Sequence, residues 1–116
     1  MDKYEEMMKL FYRDGKWKDW NPFIVKKLLM WLDGEGQLLE KRTDGELDAF
    51  VAWMMCDDEQ LNRLKEGMFP TKNGGEHKAP VFFASKNKKA TFSILREIKP
   101  YWSPWSWRRG RFKEVS

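Results

Sequence analysis

The stretch Leu38-Leu39-Glu40-Lys41-Arg42-Thr43-Asp44-Gly45-Glu46-Leu47-Asp48-Ala49-Phe50-Val51-Ala52-Trp53-Met54 sets the organisation of the whole chain. Asp44-Gly45 is a two-residue turn of the kind that closes a β-hairpin, because both positions accept the positive φ angles such a turn requires. Counting outward from it, Thr43 faces Glu46, Arg42 faces Leu47, Lys41 faces Asp48 and Leu39 faces Phe50. The Lys41–Asp48 pair is then a cross-strand contact worth about 0.2–1 kcal/mol. On the second strand, alternation sends Ala49, Val51 and Trp53 to one face and Phe50, Ala52 and Met54 to the other. Both faces are apolar, so this strand is expected to be central and covered by helices.

Upstream of the hairpin the apolar period is helical. Tyr4, Met7, Met8 and Phe11 share one face of a first helix, which Gly15 is expected to end. A loop containing Trp17 and Trp20 leads to Asn21-Pro22, a cap followed by a proline at the first helical position. The second helix is expected to run to about Leu32, with Ile24, Leu28 and Trp31 on its buried stripe and Lys26 and Lys27 off it. Asp33-Gly34-Glu35-Gly36 stops it.

Downstream, Asp57-Asp58-Glu59 opens a short helix with Leu61, Leu64 and Met68 along one face, and residues 71–78 read as loop. Pro80-Val81-Phe82-Phe83-Ala84-Ser85 reads as a buried strand. A helix over 90–99 follows, with Thr91, Ile94, Leu95 and Ile98 as its apolar face and Pro100 as its stop. The close, residues 102–115, reads as a strand pair turning at Arg109-Gly110, with Pro104 placing it at a sheet edge or bulge. Trp31, Trp53, Phe50, Phe82 and Phe83 fall on buried faces in this reading.

The chain's 116 residues point to a single domain spanning 1–116. With 41% hydrophobic and 34% charged residues it is neither membrane-embedded nor a disordered tail. The densest apolar run, Phe23 to Leu32, is broken by two lysines and falls short of the ~20 residues of a membrane span. An acidic N-terminus and a single cysteine, Cys56, fit a cytoplasmic protein without disulfides. One histidine and one cysteine, with no paired ligand spacing, give no expectation of a metal site. Charge is uneven. Residues 1–58 carry 9 Lys/Arg against 13 Asp/Glu, while residues 59–116 carry 13 against 5. The second half is thus a basic module suited to an anionic partner.

The order of elements, above all the hairpin Leu38 to Met54 and the run Pro80 to Ser85 into Ala90 to Ile98, resembles the GNAT acyltransferase fold. It is most similar to the reduced, GNAT-like proteins encoded by bacteriophages. The closing Trp105-Ser106-Trp107-Arg108-Arg109-Gly110-Arg111 stretch also fits. The resemblance implies an α/β (α+β) architecture: a central, mostly antiparallel sheet flanked by helices, with two helices at the N-terminus. GNAT enzymes hold the pyrophosphate of acyl-CoA with a glycine-containing loop between a strand and the next helix. Here that place reads Ser85-Lys86-Asn87-Lys88-Lys89-Ala90, without the glycines. The resemblance therefore implies a phage or mobile-element accessory protein that binds a host or phage protein, or nucleic acid, for instance to inhibit a host defence. No cofactor is expected in that reading. The alternative is an acyltransferase using acyl-CoA.

Three groups of residues are candidates for function. Lys86, Lys88 and Lys89 stand at a helix N-terminus, where the helix dipole favours anions over cations, so they are either an anion site or solvated lysines. Trp102, Trp105 and Trp107 interleave with Arg108, Arg109, Arg111 and Lys113, a mixture suited to a partner-binding face, since bases stack on indole and phosphates meet guanidinium. The same tryptophans would also serve as core. Catalytic candidates are few: His77 beside Glu76, and Tyr101, with Tyr12 as a further acid and no partner for either tyrosine. Cys56 reads as a small buried residue, its thiol pushed up by Asp57 and Asp58.

Overall fold

In a computed structural model, residues 2–13, 18–66, 68 and 70–98 are described. The hairpin is present, formed by β1 (Leu38–Thr43) and β2 (Glu46–Cys56). Asp44 and Gly45 both have positive φ, 53° and 83°, as its turn requires. β3 (His77–Ser85) pairs antiparallel with the other side of β2, giving the sheet order β1-β2-β3 with β2 in the centre. Four helices complete the described chain: α1 (Lys3–Phe11), α2 (Pro22–Gly34), α3 (Asp58–Lys65) and α4 (Lys88–Ile98). The fold is mixed α+β.

β2 works as expected, with apolar side chains on both faces and helices over each. Phe50, Ala52, Met54 and Cys56 meet Met7 and Phe11 of α1, Val25, Leu29 and Leu32 of α2, and Leu61 of α3. On the opposite face Ala49 and Val51 meet Ile94 and Leu95 of α4, with Leu39, Trp53 and Phe83 packed around them. A strand buried from both sides has no polar position to give up, which is why its sequence reads as an almost unbroken apolar run.

The register departs from simple counting one step beyond the turn. Thr43 faces Glu46 and Arg42 faces Leu47 as expected, but Lys41 faces Ala49, Glu40 faces Phe50 and Leu39 faces Val51. Asp48 is an extra residue, a β-bulge, and so the expected Lys41–Asp48 pair does not form. Lys41 instead pairs with Glu97 of α4. Asp48 accepts the Thr43 hydroxyl and lies 2.6 Å from Lys86. A second irregularity separates Ala52↔Phe82 from Trp53↔Pro80, leaving Val81 unmatched. It falls beside Pro80, which has no N–H to offer a ladder.

α2 shows the other large departure. Asn21 caps it as expected, accepting the Phe23 N–H at 2.9 Å, with Pro22 as its first residue. Its buried residues, however, are Val25, Leu29 and Leu32, while Ile24 and Trp31 of the expected stripe are exposed and Leu28 is partly buried. Nearly every residue from Phe23 to Leu32 is apolar, so periodicity alone cannot choose the face. Charges are consistent with the face that is buried. Lys26 lies 3.4 Å from Asp2 and 3.6 Å from Glu5, and Asp33 lies 2.7 Å from Lys3 and accepts the Tyr4 hydroxyl at 2.6 Å. Lys26 and Asp33, seven residues apart, thus tie one side of α2 to α1, while Phe23, Ile24, Met30 and Trp31 lie exposed on another side. Lys3, then Tyr4, hold the Asp33 carboxyl below its usual range.

Smaller corrections follow the same logic. α1 ends at Phe11, before Gly15, which lies outside the described residues. Trp20 lies in the connection between α1 and α2 as expected, and it is half-buried against the core: its ring centre is 6.1 Å from Phe11 and 6.0 Å from Phe82, and its carbonyl accepts the Tyr12 hydroxyl at 2.8 Å. α3 ends at Lys65, so Met68 is exposed beyond it. β3 begins at His77, three residues earlier than expected. α4 begins at Lys88, two residues earlier, and the expected stop at Pro100 lies outside the described residues.

Candidate functional site

The junction between β3 and α4 holds Lys86, Lys88 and Lys89, the lysines expected as an anion site or as solvated cations. Asn87 caps α4: its side-chain oxygen accepts the Ala90 N–H at 2.8 Å, and its carbonyl accepts the Thr91 N–H at 3.1 Å. Thr91 also reaches back to the Ser85 hydroxyl. Lys86 is tied to the bulge. Its N–H donates to the Asp48 carbonyl at 2.8 Å, and its ammonium forms an ion pair with Asp48 Oδ1 at 2.6 Å. The pairing draws Asp48 below the usual carboxylate range, with Thr43 assisting, and raises Lys86. Lys88 and Lys89 are exposed in the first turn of α4, which contains no acidic side chain.

Arg13, just past α1, brings a fourth cation to this junction, its guanidinium donating to the Ser85 carbonyl at 3.2 Å. Nothing in the sequence points to it, because it meets the junction across 72 positions of chain. Against these four cations stand Asp48 and, further off, Glu46. The surface is cationic, with Lys86 already paired and Lys88 and Lys89 open to water.

The catalytic candidates do not assemble as a pair. His77 is the first residue of β3, opposite Cys56, and so is not a loop residue. Its Nε2 lies 3.1 Å from the exposed Asp58 carboxylate of α3. Glu76 is exposed and makes no hydrogen bond or ion pair among the described residues. The histidine's acidic neighbour is therefore Asp58, on an element that sequence adjacency does not suggest. Tyr12 donates to a backbone carbonyl, and its burial pushes the phenol up. Tyr101, and the partner-binding set Trp102, Trp105, Trp107, Arg108, Arg109, Arg111 and Lys113, lie outside the described residues. Among the described residues no cluster of three metal-ligating side chains occurs, and no helix is long and apolar enough to cross a membrane.

Cys56 is fully buried, its thiol aimed at the Met54 carbonyl 3.8 Å away. Burial first, and Asp57 second, push the thiol up to about 11. The folded chain should therefore resist iodoacetamide at pH 8, with rapid alkylation only after urea is added, as mass spectrometry would register. Because the thiol ionises near 9.0 when unfolded and about 11 when folded, stability should fall as pH rises above 9.0. Prompt alkylation of native protein at pH 8 would contradict this.

Compared with protein-family models, curated proteins and solved structures, the chain matches none.

Proposed function

We propose that this chain is a small GNAT-like accessory module, of phage or mobile-element type, that works by holding a macromolecular partner with an anionic face. Its basic second half supplies the contact residues: Lys88 and Lys89, together with the Trp- and Arg-rich sequence from Trp102 to Lys113. The observation that carries this reading is the β3–α4 junction. In the GNAT enzymes it resembles, amides at this place close on the pyrophosphate of acyl-CoA. Here the Lys86 and Ala90 amides donate inward, to Asp48 and Asn87, and no glycine widens the approach. The Lys88 and Lys89 side chains beside them are exposed. That combination supports electrostatic docking over acyl transfer, and inhibition of a host defence is one use to which such docking is suited.

The test uses a fluorescent single-stranded oligonucleotide as the polyanionic probe. The logarithm of the binding constant should fall linearly with log salt, and the Lys88→Gln/Lys89→Gln pair should flatten the slope by about 1.4 in total, or ~0.7 per lost phosphate contact. An unchanged slope would remove the lysines from the surface. Saturable binding of acetyl-CoA in calorimetry would overturn the docking reading in favour of acyl transfer.

A further inference from the structure

The outward side of α2 is a second apolar face, and its large side chains are exposed. Phe23 is 66% exposed, Ile24 54%, Met30 49% and Trp31 39%. These positions, with Lys27, follow the spacing i, i+1, i+4, i+7 and i+8, so they form one continuous stripe on the side of the helix away from the sheet. Single exposed apolar residues are ordinary, but four large ones on one helical face mark an interaction surface.

Charge says what fits it. Lys27 lies at the midpoint of the stripe, with Phe23 and Ile24 before it and Met30 and Trp31 after it. Its ammonium stands 4.8 Å from the centre of the Phe23 ring and makes no ion pair among the described residues. A second copy of the chain fits poorly, because two-fold pairing through this stripe would bring Lys27 against its own counterpart in the middle of an apolar contact. An occupant with a carboxylate at that point relieves the same problem. Lys26, one residue away, is already engaged by Asp2 and Glu5 and does not compete for it.

We propose that the outer face of α2 docks an amphipathic helix of a partner protein, whose apolar stripe carries an acidic side chain at its centre to meet Lys27. The partner helix packs its apolar residues against Phe23 and Ile24 on one side of that ion pair and Met30 and Trp31 on the other. This surface is separate from the lysines of the β3–α4 junction.

Two fluorescein-labelled synthetic peptides test it, both amphipathic helices with one leucine stripe, one with Glu and its twin with Lys at the stripe's centre. By anisotropy with the full chain, the Glu peptide should bind at least about tenfold more tightly than its twin. Lys27→Glu should reverse that order, and Phe23→Ser with Trp31→Ser should weaken both. Circular dichroism confirms that each variant is folded, and oligonucleotide binding should be unchanged in all of them. Equal affinity for the twin peptides, or binding of neither, overturns the proposal. So does a dimer in sedimentation equilibrium that Phe23→Ser disperses, which would assign the face to a second copy. Co-sedimentation with phosphatidylglycerol vesicles that the same variant abolishes would assign it to lipid and overturn it too.

Discussion

Gly75→Ala is expected to lower stability by about 3 kcal/mol, the upper end of what forced overpacking costs. A β-carbon at Gly75 would lie 2.2 Å from both the Asp57 nitrogen and the Cys56 carbonyl carbon, and 2.5 Å from the Cys56 oxygen. All three are backbone atoms, so no side chain can swing aside. The loop cannot easily retreat either. The Gly74 and Gly75 amides both donate to the Met55 carbonyl, at 3.0 and 2.8 Å, and Asn73 Oδ1 accepts the Met55 N–H at 2.8 Å. Asn73 and Gln37 exchange a reciprocal pair of amide hydrogen bonds, each of 2.9 Å. Buried Gln60 accepts the Thr71 N–H at 2.6 Å. Domains of this size have roughly 5–15 kcal/mol of stability in all, so the urea midpoint should drop steeply. Gly34→Ala is the comparison. At the end of α2 its β-carbon would meet open space and no positive φ opposes it, so it should lose far less. Equal midpoints for Gly75→Ala and the parent chain would show that the close approach is not there.

Phe82→Ala should cost about 3–5 kcal/mol, the range for emptying a large buried aromatic site. Phe82 is fully buried, and its ring meets Phe11 edge-on at 5.6 Å and Trp20 at 6.0 Å. Removing it undercuts α1 and the segment leading into α2 together, since Phe11 and Trp20 rest on the same ring. The expected readout is a large fall in the denaturation midpoint with a red shift of the Trp20 contribution to emission, obtained by difference from a Trp20→Phe background. Phe83→Ala, on the α4 face and only half-buried, should cost clearly less. Similar losses at the two positions would contradict the placement of the main core on the α1–α2 side.

The hairpin, its turn, the central place of β2 and the Asn21–Pro22 helix start were legible because each rests on local chemistry. A turn that needs positive φ names its residues, and a strand apolar on both faces must be covered twice. The features that were not legible depend on partners distant in sequence. The bulge at Asp48 is the place where Lys86, 38 positions on, meets it with both its amide and its ammonium. The buried face of α2 goes with contacts to Asp2, Lys3, Tyr4 and Glu5, which a run of apolar residues cannot reveal. Of the candidate site, the junction lysines are legible as three cations at a helix start, but the pairing of Lys86 and the arrival of Arg13 are not. The sequence neighbour of His77 is Glu76, whereas its acidic neighbour in space is Asp58. The Trp/Arg stretch beyond residue 101 lies outside the described residues.

The bulge at Asp48 gives the hairpin an odd parity. Leu47 packs with the α1–α2 cluster and Ala49 with the α4 cluster, and from Ala49 onward the strand alternates faithfully. Two residues flanking a third would ordinarily point the same way; these point oppositely, because Asp48 drops out of the count. Near the turn, β2 can therefore lose this residue and keep each inward side chain on its own face. Loss of any one residue between Phe50 and Met54 would exchange the faces of everything on one side of the cut. The strand thus has one length-tolerant position, and it coincides with the carboxylate that anchors the cationic junction, so a change in strand length there would be felt at the start of α4 before it was felt in the core.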